Sequence, residues 1–376
     1  MSRQLLVAAL LGLAGAAGGE RPNNPKALYE GHDYFRLREA LRSEKDAPQR
    51  YRAAVAAAFH DDATAERLLK GIAGPSNGSS EGVEAARILH WVRRRTAADL
   101  NQVVGSARPS RIRYSMKQGL LHIPLTINGQ AVEYIFDTGA GCSVMLESEA
   151  KRLGLKFYPA EAQAFDAMSG GSIRIQNIGI AERMRIGENE YRRILFLIFP
   201  DGTHFLKDQP PGESGVFGLP DIVSLGAVRW DGGGNMEIGF DSAGPATVDA
   251  NMAFDLERLI ASVELEKRGL IFQVDTGAVH SGLYTRFRNE FAGVAAKSAR
   301  QERRSSAGAG GRIEYDVLVL PSIGLRAGGF NVLLQPAEIT LKQELGFGYH
   351  GILGMDVLKQ ARSASLDFRR MRMELR

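Results

Sequence analysis

Two stretches decide how this chain folds: Ala131-Val132-Glu133-Tyr134-Ile135-Phe136-Asp137-Thr138-Gly139-Ala140 and Gly269-Leu270-Ile271-Phe272-Gln273-Val274-Asp275-Thr276-Gly277-Ala278. Each is an apolar, strand-like run that ends in the same tetrapeptide, Asp-Thr-Gly-Ala. The likeness continues downstream, since Ser143 and Ser281 each lie six residues past their Asp. An apolar-apolar-Gly signal follows in both copies, Val216-Phe217-Gly218-Leu219 and Ile352-Leu353-Gly354-Met355, at offsets 218 − 137 = 81 and 354 − 275 = 79. A short helix-like stretch comes next, Asp221-Ile222-Val223 and Asp356-Val357-Leu358, and each copy closes on a pair of strand-like segments. One Asp-Thr-Gly is a common coincidence; an ordered series of this length, displaced by 275 − 137 = 138 residues, predicts two homologous β lobes.

Working outward, the texture from Arg111 onward is short alternating segments with glycine turns, and Asn128-Gly129 between two apolar-alternating runs is a strong hairpin signal. Lobe 1 is expected over residues 111–242 and lobe 2 over 246–376, with Asp241-Ser242-Ala243-Gly244-Pro245 as the link. The stretch before them, 20–110, reads as a small α-helical domain, with apolar residues at helix spacing in Leu28, Phe35, Leu37 and Leu41 and in Val55, Ala58 and Phe59. Breaks fall at Asp46-Ala47-Pro48 and at Gly74-Pro75-Ser76-Asn77-Gly78. Helical pairs of this kind serve as a support or spacer, or else as a platform for a protein partner.

At the N-terminus, Arg3 precedes an uncharged stretch over residues 5–19 that contains the small-x-small site Ala14-Gly15-Ala16. Residues 1–19 therefore read as a signal peptide, with export to the periplasm or the exterior, and an uncleaved anchor as the alternative. The run is short for a membrane span, and no later segment is long and apolar enough to make one. The sole cysteine, Cys142, cannot form an internal disulfide.

A chain of 376 residues with 44% hydrophobic and 24% charged content can bury a sizeable core. The formal charge is +4, but the basic residues are dispersed in pieces such as Arg93-Arg94-Arg95 and Arg303-Arg304. These read as solvated faces, and no basic stripe with interleaved aromatics argues for nucleic acid. His122, His204, His280 and His350 stand apart without ligand spacing, so no metal or other cofactor is called for.

On the duplicated Asp-Thr-Gly-Ala and the glycines that follow, the last 265 or so residues resemble the aspartic proteases, specifically retropepsin-like bacterial ones with two lobes fused in one chain. The resemblance implies a mainly β fold of two homologous retropepsin/pepsin-like acid protease β-barrel lobes. It implies that Asp137 and Asp275 meet at a pseudo-twofold axis as a catalytic pair acting on a polypeptide substrate. Thr138 and Thr276 would then hydrogen-bond across the axis, with Gly139, Ala140, Gly277 and Ala278 completing the turns and Gly218 and Gly354 packed behind them. The Ala after each Gly is closer to the retroviral type than to the Ser or Thr common in pepsins.

The chemistry such a pair offers does not depend on the name. Amide hydrolysis by water needs a base for the water proton and an acid for the carbonyl and the leaving nitrogen. Two carboxylates held close cannot both ionise cheaply, so they share a proton and supply both functions. A site of this kind needs a lid, and two glycine clusters are candidate flaps: Met168-Ser169-Gly170-Gly171 in lobe 1, and Ala307-Gly308-Ala309-Gly310-Gly311 in lobe 2. Neither contains the tyrosine of a pepsin flap. A plain hairpin turn is the alternative for each. The competing reading of the whole is an inactive pseudo-protease that grips an extended peptide between its lobes. A Cys-His pair must also be weighed, because Cys142 and His280 each lie five residues past their Asp.

Overall fold

The computed structural model describes residues 24–44, 46–73, 80–95, 100–104, 108–167, 171–241, 250–295, 300–308, 311–341 and 348–376. The expected leader at 1–19, the flap residues Met168, Ser169, Gly170, Ala309 and Gly310, and most of the interlobe link lie outside the described residues.

Five helices open the described chain: α1 Pro25–Glu30, α2 Tyr34–Ser43, α3 Gln49–Ala58, α4 Asp62–Leu69 and α5 Ser80–Arg95. Their starts are written locally. Asn24 accepts from the N–H groups of Lys26 and Ala27 ahead of Pro25, Asp33 accepts from Arg36, and Asp61 accepts from Thr64. Helix α2 buries Tyr34, Leu37 and Leu41, one stripe at three- and four-residue spacing. This apolar side is not closed within the helices. Leu28, Leu37, Tyr51, Leu69 and Val92 share one core with Ala253, Ile260, Ile271 and Tyr349 of lobe 2.

In lobe 1 the strands Leu120–Ile127 and Gln130–Asp137 form a hairpin whose turn residues, Asn128 and Gly129, have φ of 48° and 85°. That left-handed pair is what a two-residue turn of this twist requires. Leu121, Ile123, Leu125 and Ile127 alternate into the core, as period two demands. Six strands close on themselves in the order Asn189–Phe199, Val144–Leu146, Gly215–Gly218, Gln130–Asp137, Leu120–Ile127 and Gly171–Ile186, the last returning to the first. Gln102–Val103 already pairs with Asn189–Phe199, so the chain enters this sheet before the change of texture at Arg111.

Lobe 2 repeats the plan in an open sheet. Arg258–Leu265 and Arg268–Val274 make the equivalent hairpin, and the strand Gly351–Leu353 runs parallel to Arg268–Val274. Gly215–Gly218 runs parallel to Gln130–Asp137 in lobe 1 in the same way. A third sheet joins the lobes, with strands in the order Ser110–Arg113, Asn235–Ile238, Ala227–Asp231, Ser363–Asp367 and Arg372–Leu375. The crossing from one lobe to the other is the antiparallel pairing Val228 with Leu366 and Trp230 with Ala364. Trp230 meets Phe136 edge to face at 6.2 Å between ring centroids, so the joining sheet packs directly under the strand that carries Asp137.

Candidate active site

The strand Gln130–Asp137 delivers Asp137 at its end, and the parallel strand Gly215–Gly218 aligns Gly218 with it. Arg268–Val274 delivers Asp275 in the same manner, with Val274 beside Leu353. The two turns then meet. The N–H of Thr138 donates to Thr276 Oγ1 at 3.0 Å, and the N–H of Thr276 donates to Thr138 Oγ1 at 3.0 Å. Each hydroxyl in turn donates to the main chain of the other lobe, Thr138 to Val274 O at 2.8 Å and Thr276 to Phe136 O at 2.7 Å. Both threonines are fully buried, and each such bond contributes about 1 kcal/mol net, so the four fix the turns to one another far more firmly than surface contacts would.

The glycines explain how the carboxyls come together. A Cβ on Gly139 would lie 2.3 Å from Cγ of Asp275, and a Cβ on Gly277 would lie 2.3 Å from Cγ of Asp137. Each carboxyl therefore rests on the glycine of the opposite lobe, where any side chain would displace it. Asp137 Oδ1 accepts from the N–H groups of Gly139 at 2.8 Å and Ala140 at 3.0 Å, and Asp275 Oδ1 accepts from Gly277 at 2.9 Å. The two carboxyls are thus brought together at the junction of the two turns, each on the glycine of the other.

Their ionisation follows from this enclosure. Removal from water pushes Asp275 well above the ordinary carboxylate range, and the charge of Asp137 beside it pushes in the same direction. Asp137 is raised too by removal from water, but the N–H groups of Gly139 and Ala140 hold it back. The pair therefore retains one proton between its two members, where isolated carboxylates would have lost both.

Behind each turn sits a bolt that the sequence did not disclose. In lobe 1, Ser143 Oγ accepts from the N–H of Gly218 at 2.8 Å and donates to Asp221. In lobe 2, Ser281 Oγ accepts from the N–H of Gly354 at 2.8 Å and donates to Asp356 at 2.6 Å. Gly218 and Gly354 are held tight here, since a Cβ would fall 2.3 Å from Cys142 O and 2.7 Å from Ala278 O respectively. The serines matched at 281 − 143 = 138, but Asp221 and Asp356 differ by 356 − 221 = 135, and this slip of register hid the pairing. Burial raises Asp221 to about 6.

The lobes also touch reciprocally beside the site. The turn at Gly119 of lobe 1 lies against Val279 of lobe 2, where a Cβ on the glycine would sit 3.0 Å from Val279 Cγ1. Glu257 of lobe 2 lies against Gly141 of lobe 1, at 2.9 Å by the same measure. Both contacts obey the 138-residue offset, 257 − 119 and 279 − 141.

Of the flap candidates, the described residues Gly171, Ala307, Gly308 and Gly311 belong to the ends of two long strand pairs, Lys156–Ala167 with Gly171–Ile186 and Arg300–Gly308 with Gly311–Leu320. Gly171 and Gly311 open the returning strands, and Gly311 has φ of 113°. Cys142 and His280 do not make a nucleophilic pair. His280 is exposed, whereas Cys142 is buried and its thiol is pushed up to about 11, so no thiolate is at hand. Among the described residues no group of His, Cys, Asp and Glu side chains could hold a metal ion.

No curated protein matches the sequence. Among solved structures the chain is similar to conglutin gamma, a basic 7S globulin from lupine seeds, at 10% identity and a TM-score of 0.41, over 71% of this chain and 94% of that one. It is also similar to a retropepsin-like aspartic protease from Rickettsia conorii at 16% identity and a TM-score of 0.26, over 37% of this chain and 96% of that one. Residues 123–220, which hold Asp137, its turn, Ser143 and Gly218, match the aspartyl protease family model.

Proposed function

We propose that this protein is an aspartic endopeptidase in which a water molecule, activated between Asp137 and Asp275, attacks a peptide carbonyl. The observation that carries the reading is the mutual arrangement of the turns, with each carboxyl seated on the opposite glycine and the two threonines bonded crosswise. In this mechanism the ionised carboxylate, Asp137, takes a proton from the water. The protonated one, Asp275, donates to the substrate carbonyl oxygen, and the proton is then returned to the leaving nitrogen. The role of the crossed threonines is positional. The hairpins tipped by Gly171 and Gly311 are the proposed lids, and an extended substrate would pair with strand-like main chain beneath them. The uncharged stretch 5–19 supports export of the chain. Among the described residues no helix is long and apolar enough to cross a membrane.

The test is incubation of the full chain with a diverse peptide library over a range of pH, with cleavage sites read by mass. The expected result is cleavage at internal bonds with a bell-shaped pH profile. The rate rises as Asp137 ionises and falls as Asp275 loses its proton. Peptides retained on the protein without any cleavage would replace this reading with that of a peptide-binding module.

A further inference from the structure

The helical domain grips the start of lobe 2. Arg95, read from the sequence as part of a solvated face, has only 7% of its side chain exposed, is bidentate on Asp62 and stacks 4.4 Å over the ring of Phe254. The next residue, Asp255, is buried and accepts from Tyr34 at 3.1 Å. His32 Nδ1 lies 2.9 Å from its other oxygen, to which Tyr349 of lobe 2 also donates. Asp255 opens a tight turn. Leu256, at φ of 55°, packs against the helical core, and Glu257 presses on lobe 1, where a Cβ on Gly141 would lie 2.9 Å from Glu257 Cβ and 3.0 Å from its Cγ. Gly141 is the fourth residue past Asp137, and the buried Cys142 follows it. Lobe 1 holds its equivalent turn with its own side chains. At 255 − 138 = 117, Lys117 lies 2.6 Å from Glu133 and 2.8 Å from Glu213. Gln118 has φ of 51°, and Gly119 meets Val279, the fourth residue past Asp275. The outer faces of the two lobes differ to match: Ser115, His122 and Glu133 of lobe 1 correspond to Ala253, Ile260 and Ile271 of lobe 2, which join the core of the helices.

We infer that His32 and Tyr34 are positioning residues for the proposed hydrolysis: by anchoring Asp255 they fix the turn to Glu257, which seats the lobe 1 segment that follows Asp137. The inference rests on the proteolytic reading for its effect on catalysis, but not for the seat itself. The helical domain does for lobe 2 what Glu133 and Glu213 do for lobe 1, and it is an integral part of the molecule and not a leader to be shed. The physical reason is the cost of a buried carboxylate without partners. With Tyr34 and His32 removed, Asp255 keeps Tyr349 alone of these three, and a buried charge left short of hydrogen bonds moves toward water. That move carries Glu257 with it, and Glu257 is packed too closely on Gly141 to shift without releasing the segment.

The chain's one thiol, at Cys142, lies in the seated segment and reports on it. The experiment compares, in the full chain, wild type, the double variant His32→Gln with Tyr34→Phe, and Asp61→Ala, which removes the cap of α4 and leaves the Asp255 contacts intact. It measures alkylation of Cys142 by N-ethylmaleimide under native conditions together with kcat, KM and Tm. The double variant is expected to speed alkylation about tenfold and to lower kcat about tenfold with KM within about twofold, whereas Asp61→Ala is expected to lower Tm and change neither. Unchanged alkylation or unchanged kcat in the double variant would overturn the inference. So would equal changes in Asp61→Ala, since the effect would then follow stability alone. If the wild type cleaves no peptide, the proteolytic reading fails; faster alkylation of the double variant alone then upholds the seat, and unchanged alkylation overturns it.

Discussion

At the scale of single residues, the decisive fact is that a carboxyl occupies the space where a β-carbon would be. Gly139 and Gly277 show this reciprocally, with 2.3 Å left for a Cβ in each case. Gly277→Ala must therefore move Asp137, although the change adds only a methyl group. A displacement near 1 Å at the reacting groups costs on the order of 10²-fold in rate, and that is the expected fall in kcat for Gly277→Ala, with the fold retained by circular dichroism. A variant with wild-type kcat would show that the turns do not press on one another. The tetrapeptides themselves were legible in the sequence because each residue type has a separate task there: an acid, a hydroxyl for the crossed bonds, and a residue with no side chain. Arg95 was not legible, since an arginine among arginines on a helix has no spacing that marks its partner. Only the fold brings Asp62 and Phe254 to it.

At the scale of elements, the hairpins beneath the dyad are equivalent but not equally well written. Asn128 and Gly129 suit their left-handed turn, and the reading from sequence found it. Glu266 and Lys267, at the matching positions 128 + 138 and 129 + 138, adopt φ of 48° and 66° with side chains that disfavour them. Neither residue is a turn former, so composition concealed a turn that the repeat offset places. Lys267 is exposed, and Lys267→Gly is expected to stabilise the protein by about 0.5–1 kcal/mol in urea unfolding, because relief of the strain outweighs the added freedom of the unfolded chain. A destabilised variant would contradict that account.

The docking of the helices on lobe 2 is an element-scale matter too. Asp255 is buried and accepts from Tyr34 at 3.1 Å and from Tyr349, with His32 Nδ1 at 2.9 Å. Burial by itself would push Asp255 up, but His32, Tyr349 and Tyr34 outweigh it and hold the carboxyl below its usual range. Burial would likewise lower His32, and Asp255 outweighs it, so His32 is raised. Glu84 and Arg286 also act on His32, in opposite directions. The signs give a window. The Asp255 contribution is present above the unfolded value of about 4 and is lost as pH falls through the lowered one, whereas the His32 contribution is present below about 6.5 and is lost as pH rises through the raised one. Amide exchange in α1 and α2 is expected to be slowest between those limits, and His32→Gln is expected to flatten its dependence on the basic side.

At the scale of the whole molecule, two lobes that could each make half a site are bound by one sheet, by two reciprocal turn contacts and by the helical domain. The lobes were legible because equivalent strands carry the same pattern at a nearly fixed offset. The way the helices close the structure was not, because an amphipathic helix shows which face is apolar and not what covers it. Here the cover is lobe 2, through Ala253, Ile260 and Ile271. A single chain with both halves of the site buries the two carboxyls together, so that removal from water and the charge of Asp137 hold Asp275 well above its ordinary range. The central claim is that both carboxyls, one from each lobe, act together on one water. It is tested most directly by kcat for peptide hydrolysis in Asp137→Asn and in Asp275→Asn, each beside the wild type and with Tm measured in parallel. Both substitutions are expected to lower kcat by about 10⁴-fold or more with little change in Tm; undiminished hydrolysis by either variant would contradict the account.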